Sequence, residues 1–263
     1  MDKKIILFDR LHVLDSIKSD HQKNAIINRY EKYLAETTKG FPNSDVSIKK
    51  IRQFDKRPEV LISGPERVFI YNMLKSEIGV IHDFSEVKVG DTLKGLMVDV
   101  GKVGFGIFVD CGIFQPNTDV LLSLHALRDQ LCGGKKLPVR KIIQLFGFFT
   151  NFPLFVKITR IDARKHEIEG EIDKKSLNLF QKIVEEDIEG LAISGETKGQ
   201  FKKALIKKGH LRDIISLERY TFLEHIVLLK EGTNAPGIIS TIGKSLDGCK
   251  LSAIRASKIK RYY

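Results

Sequence analysis

The sequence predicts an α+β protein in which a small five-stranded barrel lies between two α/β domains. Three observations carry that reading. Residues 1–86 order their apolar runs as βαββαβ. Residues 87–175 are short strand-like runs broken by glycines, with an inserted segment at 128–153. Residues 176–263 return to alternating helical and strand-like runs.

In the first domain, residues 5–13 read as a strand. Ser19 or Asp20 then offers a helix cap ahead of Ile26, Ile27, Tyr30 and Leu34 at helical spacing. After the loop Gly40-Phe41-Pro42-Asn43-Ser44, residues 46–54 alternate as a strand. Asp55-Lys56-Arg57-Pro58 is a turn, and residues 59–64 form a third strand. Pro65 opens a second helix, Gly79 stops it, and Val80-Ile81-His82 forms a last strand. This order is the ferredoxin-like split βαβ pattern.

The third domain repeats the order after a leading helix over residues 176–189. Residues 190–195 form a strand, 197–208 a basic helix ended by Gly209, and 214–220 and 225–230 two strands. Asn234-Ala235-Pro236-Gly237 opens a helix through Leu246, and residues 249–256 close the set. Ile62-Ser63-Gly64 and Ile193-Ser194-Gly195 punctuate the two domains alike, a match short enough for chance.

The middle domain carries the sharpest signal. Glycine kinks within short strands are what the tight coiling of a small barrel requires. The runs are "VGDTLKGLMVDV", "VGFGIFVDCG", "DVLLSLHAL" and "VKITRIDARKHEIEGEI". Together these resemble the S1 RNA-binding domain, an OB-fold barrel, over about a third of the chain. The resemblance implies that Phe105 and Phe108, the aromatics of FGxFV, lie on the outer barrel face and stack on bases. It also implies a contribution from Asp162 and from His166, which stands where the family has Arg. Ser123 occupies the place of a usual third-strand His, with His125 two residues on. The insertion is longer than the family's connection and holds a helix over 139–146. A barrel between two α/β parts also resembles an uncharacterised protein family of archaea, which implies a role near RNA.

The residues themselves support a nucleic-acid reading. Bases stack on aromatic rings for roughly 1–3 kcal/mol each, and neighbouring cations track phosphates. Lys102, Lys157, Arg160, Arg164, Lys165 and His166 supply those cations if the strands pair as expected. Strict alternation would put residues 105 and 108 on opposite faces and bury one ring unless a bulge intervenes.

Lys198, Lys202, Lys203, Lys207, Lys208, His210 and Arg212 form a second basic run, either a phosphate grip or a solvated helix face. Phe146, Phe148, Phe149 and Phe152 are either a docking patch or the private core of the insertion. Gly232-Thr233-Asn234-Ala235-Pro236-Gly237 has phosphate-loop spacing but lacks the following Lys-Ser/Thr, so no nucleotide triphosphate site is expected.

Composition bounds the rest. The 263 residues carry a net charge of +11, divided as +2, +4 and +5 over residues 1–87, 88–175 and 176–263. A polyanionic partner suits that balance. No apolar run is long enough to span a membrane, and no signal peptide is visible. Cys111, Cys132 and Cys249 make no CxxC and no even framework, which argues against a disulfide scaffold and a structural zinc. A reducing cytoplasm is the simplest compartment. The seven histidines show no HExxH, and no nucleophile elbow occurs, so neither a metal nor a cofactor is expected. The expected role is non-catalytic RNA binding, to single-stranded or looped RNA, near the ribosome, RNA polymerase or RNA-processing machinery. A protein adaptor whose barrel no longer binds RNA is the alternative, and a small-ligand sensor at Asn234–Gly237 a third.

Overall fold

The structure, a computed structural model, describes residues 2–246 and 248–262. The chain forms two compact units. One holds the residues up to Ile81 together with Thr221–Leu223; the other starts at His82 and omits those three residues.

The first unit contains β1 (Lys3–Ile6), α1 (Asp20–Thr37), β2 (Asp45–Ile51), β3 (Pro58–Ser63) and α2 (Arg67–Glu77). Its sheet is antiparallel in the order β1-β3-β2. The expected fourth strand shrinks to a single bridge, Val80 to Leu7, outside β1. That bridge still completes the ferredoxin-like order. Ser19 occupies the cap position of α1 but makes no side-chain cap bond. Tyr30, Leu34, Val60, Ile62, Ile70 and Leu74 pack with Phe222 and Leu223 as the core. The Tyr30 hydroxyl donates to Asp9 Oδ2 at 3.1 Å, and Asp9 Oδ1 accepts the Phe222 N–H at 3.1 Å. Burial first, and the Asp9 charge second, push the Tyr30 hydroxyl well above its ordinary pKa.

The second unit opens with β4 (His82–Asp83), which pairs with the barrel. The barrel strands are β5 (Thr92–Val98), β6 (Gly106–Phe114), β7 (Thr118–Ser123), β8 (Pro153–Asp162) and β9 (Glu167–Ile172). Their pairing runs β6-β5-β8-β9-β7, and β6 with β7 closes the ring. This is the OB-fold connectivity. Glycine makes the closure possible. A Cβ on Gly170 would stand 2.6 Å from Val156 Cγ1 and 2.9 Å from the Lys157 carbonyl oxygen.

Helix α3 (Leu124–Cys132) leads from β7 into the insertion, which also holds α4 (Val139–Phe146). The sequence places α4 and misses α3. The expected third strand stops at Ser123, whose hydroxyl accepts the Ala126 N–H at 3.2 Å and turns the chain into a helix. His125 therefore rides on α3, 2.8 Å from Asp129 one turn on. Phe146, Phe148 and Phe152 are buried, with Phe146 stacked on Phe148 at 5.6 Å and set edge-on to Phe180 at 5.3 Å. They are core, and the half-buried Phe149 packs against them, edge-on to Phe152 at 5.6 Å, so the four form the insertion's core and not a docking patch.

After α5 (Lys174–Glu185) come β10 (Glu189–Ser194), α6 (Lys198–Lys207), β11 (Ile214–Arg219), β12 (Glu224–Leu229), α7 (Ala235–Ile242), β13 (Lys250–Arg255) and α8 (Ala256–Ile259). The sheet order β11-β12-β10-β13, all antiparallel, is a complete ferredoxin-like set. Barrel, insertion and this sheet share one core, in which Phe146, Phe180, Ile226 and Ile254 belong to a single cluster. The repeated Ile-Ser-Gly has a physical meaning. Gly64 and Gly195 each end a strand entering a helix, at φ +102° and +103°, a conformation only glycine adopts readily.

His225 lies fully buried on β12. Its Nε2 lies 3.0 Å from the Glu196 carbonyl oxygen, while Nδ1 has no hydrogen-bond partner among the described residues. Burial lowers its pKa to about 4, against a smaller opposing effect of Glu224. The folded ring therefore stays neutral while an unfolded ring takes up a proton from about pH 6.5 downward. Across that window the unfolded chain binds more protons, so stability falls as pH falls. The expected loss from pH 7 to pH 5 is about 2 kcal/mol. Urea titrations at both pH values should show that loss shrinking in His225→Leu; an equal loss in the variant would remove His225 as its source.

Candidate nucleic-acid interface

The outer face of the barrel is built by register. Val98, Phe108, Leu121, Glu169 and Arg160 are successive partners across β5, β6, β7, β9 and β8. Their chain neighbours Ile107, Val109, Val120, Leu122 and Ile168 fill the barrel at no more than 1% exposure. Alternation then turns Phe108, Leu121 and Glu169 outward.

Phe105 joins this row because it precedes β6 rather than belonging to it. The chain bends between Gly104 and Gly106, and the Phe105 carbonyl accepts the Leu124 N–H at 2.8 Å. Phe105 is 56% exposed and Phe108 half-buried, their rings edge to face at 6.0 Å. Neither ring is lost to the core. An open groove of about 520 Å³ lies at them, lined also by Leu121 and His166. His166 sits at the β8–β9 turn at φ +54°, its ring edge-on to Phe84 at 5.5 Å.

The polar residues expected here divide. Asp162 shapes the turn: its Oδ1 accepts the N–H groups of Arg164 and Lys165 at 3.1 and 3.2 Å. Arg164 and Lys165 project from that turn into solvent. Arg160 lies in the aromatic row but is bound by Glu169, whose carboxylate raises its pKa further above the ordinary guanidinium value. Lys157 lies two register pairs away and pairs with Glu171 at 3.5 Å. Lys102, in the β5–β6 loop, pairs with Asp99 at 2.8 Å and does not line the groove. Asp119, Glu167 and Glu169 do line it. The sequence reading missed these acids, although the alternation in "EIEGEI" puts Glu167, Glu169 and Glu171 on one face.

The other candidates resolve as follows. The second basic run lies on α6 and the turn after it, with Lys202, Lys203, Lys207, Lys208 and Arg212 exposed and Lys198 half-buried. The helix start at Asn234 is already satisfied. Asn234 Oδ1 accepts the Gly237 N–H at 2.7 Å, and Glu189 Oε2 accepts the Ala235 N–H at 2.7 Å. The chain's own carboxylate thus takes the anion's place there. No helix among the described residues is long and apolar enough to cross a membrane.

Comparison with known proteins places these elements. Residues 87–183 match the family model of the DUF2110 central domain, and residues 189–254 that of the DUF2110 C-terminal domain. The first match spans the barrel and most of α5; the second spans β10 to β13. No curated protein matches the chain. Among solved structures, an uncharacterized protein of Methanocaldococcus jannaschii shares 16% identity, covering 34% of this chain and 96% of that one at TM-score 0.24. The K3L protein of vaccinia virus shares 16%, covering 33% and 89% at 0.23. The intact alpha subunit of aIF2 from Pyrococcus abyssi shares 9%, covering 65% and 98% at 0.24.

Proposed function

We propose that the protein is a non-catalytic RNA-binding protein whose barrel holds single-stranded or looped RNA in the groove beside Phe105 and Phe108. The observation that carries this reading is the outward presentation of both rings on one face, against a groove large enough for bases. An aromatic left 56% exposed gives up burial that a bound base would restore. The RNA is that of a larger assembly such as the ribosome or an RNA polymerase, which the flanking α/β folds help the barrel to reach.

The acids in the groove set the terms of binding. With Asp119, Glu167 and Glu169 along it, the groove favours base faces over phosphates. Glu169 also neutralises the one guanidinium of the aromatic row. Glu169→Gln should therefore release Arg160 toward phosphate and raise affinity for labelled single-stranded RNA by roughly three- to tenfold, with a steeper salt dependence. Fluorescence anisotropy across a salt series measures both. Equal or weaker binding by the variant would place the RNA elsewhere.

The same acids favour one other reading, a protein adaptor whose barrel no longer binds RNA. A partner recovered after nuclease treatment, together with no RNA binding at low salt, would select it.

A further inference from the structure

We propose that α6 presents a second nucleic-acid contact, one that grips the sugar-phosphate backbone without reading bases. The inference rests on the RNA-binding reading and adds to it where the electrostatic part of the affinity resides.

The barrel supplies little of that part, since Lys102, Lys157 and Arg160 each hold a carboxylate, which leaves Arg164 and Lys165 in solvent at the β8–β9 turn. The α6 lysines differ. From Thr197 to Arg212 the chain contains no Asp or Glu. Phe201, Ala204 and Leu205 bury one side of the helix, leaving Lys202, Lys203, Lys207 and Lys208 in solvent. Among the described residues, Lys198, Lys202, Lys203, Lys207 and Lys208 have no ion pair. The nearest acids in sequence are already engaged. Glu196 Oε1 accepts the Thr197 N–H at 2.7 Å, and Asp213 lies 2.9 Å from His210 Nδ1 and 3.9 Å from Arg212 Nε.

Lys198 and Lys202, like Lys203 and Lys207, stand one turn apart, where like charges repel. Lys198 also sits at the helix N-terminus, where a cation opposes the helix dipole. Folding gains nothing from this arrangement, whereas a polyanion relieves it. Lysine suits a backbone contact because its ammonium is a point charge on a flexible stem with no preferred base edge. The surface therefore fits phosphates in series.

The test uses the full chain and a labelled oligouridylate, with anisotropy read across a salt series. The triple variant Lys202→Glu, Lys203→Glu, Lys207→Glu should bind at least tenfold more weakly at low salt. Its salt slope should fall by about 2, since each phosphate neutralised on a single strand adds roughly 0.7 to the slope. The matching Lys→Arg triple should keep the slope. If the glutamate triple does not fold by circular dichroism, the Lys→Gln triple reads the same slope. The Phe105→Ala/Phe108→Ala pair separates the two readings, since it should lower affinity with the slope unchanged. A reduced slope in the α6 variants alongside an indifferent aromatic pair keeps this proposal and removes the barrel site. An unchanged slope in a folded charge-removed triple overturns it.

Discussion

Replacing Phe105 and Phe108 together by alanine is expected to weaken binding of single-stranded RNA at least thirtyfold while leaving the protein folded. Each base–aromatic stack contributes about 1–3 kcal/mol, so two give about 2 kcal/mol at the low end. Stability should change little, because Phe105 is 56% exposed and Phe108 lies on the outer face, away from the interior of Val109, Val120 and Leu122. The single variants should divide the loss unequally. Phe105 offers an open face, whereas Phe108 is partly covered and also meets Phe105 edge to face. Phe108→Ala therefore removes a stacking surface and the support of its neighbour. Anisotropy gives the affinities and urea denaturation the stability. A folded double variant that binds as tightly as the unaltered protein would sink the barrel as the RNA site.

That expectation began as an ambiguity in the sequence. Alternation alone sets residues 105 and 108 on opposite faces, and only the bend from Gly104 to Gly106 brings them to one side. The glycines were visible, but not the direction of the bend, which depends on the Leu124 N–H meeting the Phe105 carbonyl. Both ferredoxin-like orders were legible because Gly, Pro and turn clusters mark nearly every boundary. The lost fourth strand of the first unit was not, since Val80-Ile81-His82 is apolar enough for a strand, but only Val80 bridges to Leu7, and His82 already belongs to β4. Helix α3 was missed for a related reason. Leu121, Leu122, Leu124 and Leu127 satisfy strand and helix periods alike, and the Ser123 cap decides between them. The cations erred most. Spacing shows where a charge lies on its own strand but not which carboxylate faces it across the sheet. Arg160 and Glu169 become neighbours only through the β8–β9 register, shifted by the irregularity between Ile158 and Arg160. The α6 lysines escaped this uncertainty because their segment contains no acid at all.

The two glycines around Phe105 make opposite predictions, and the contrast tests the barrel and the site together. Neither is confined to the left-handed region, so space decides the outcome. A Cβ on Gly106 would stand 2.4 Å from the Leu122 carbonyl oxygen and 2.7 Å from Leu121 Cδ1. The first contact is backbone, on the strand that closes the ring opposite Gly106 and Ile107. A methyl group there cannot be absorbed by a side-chain rotation; β6 must part from β7. Gly104 has nothing within 4 Å of its Cβ position. Gly106→Ala is therefore expected to cost about 3 kcal/mol or more, at the upper end of overpacking penalties. It should also remove most RNA binding, because displacement of β6 moves Phe108 and the bend that presents Phe105. Gly104→Ala should be neutral or stabilise by up to about 1 kcal/mol through a less flexible unfolded chain, with binding retained. Urea midpoints and anisotropy on the two variants read both effects. Equal stability of the pair would mean that β6 and β7 do not meet closely at Gly106. A destabilised Gly106→Ala that still binds RNA at full strength when folded would separate the closure of the barrel from the placement of the rings.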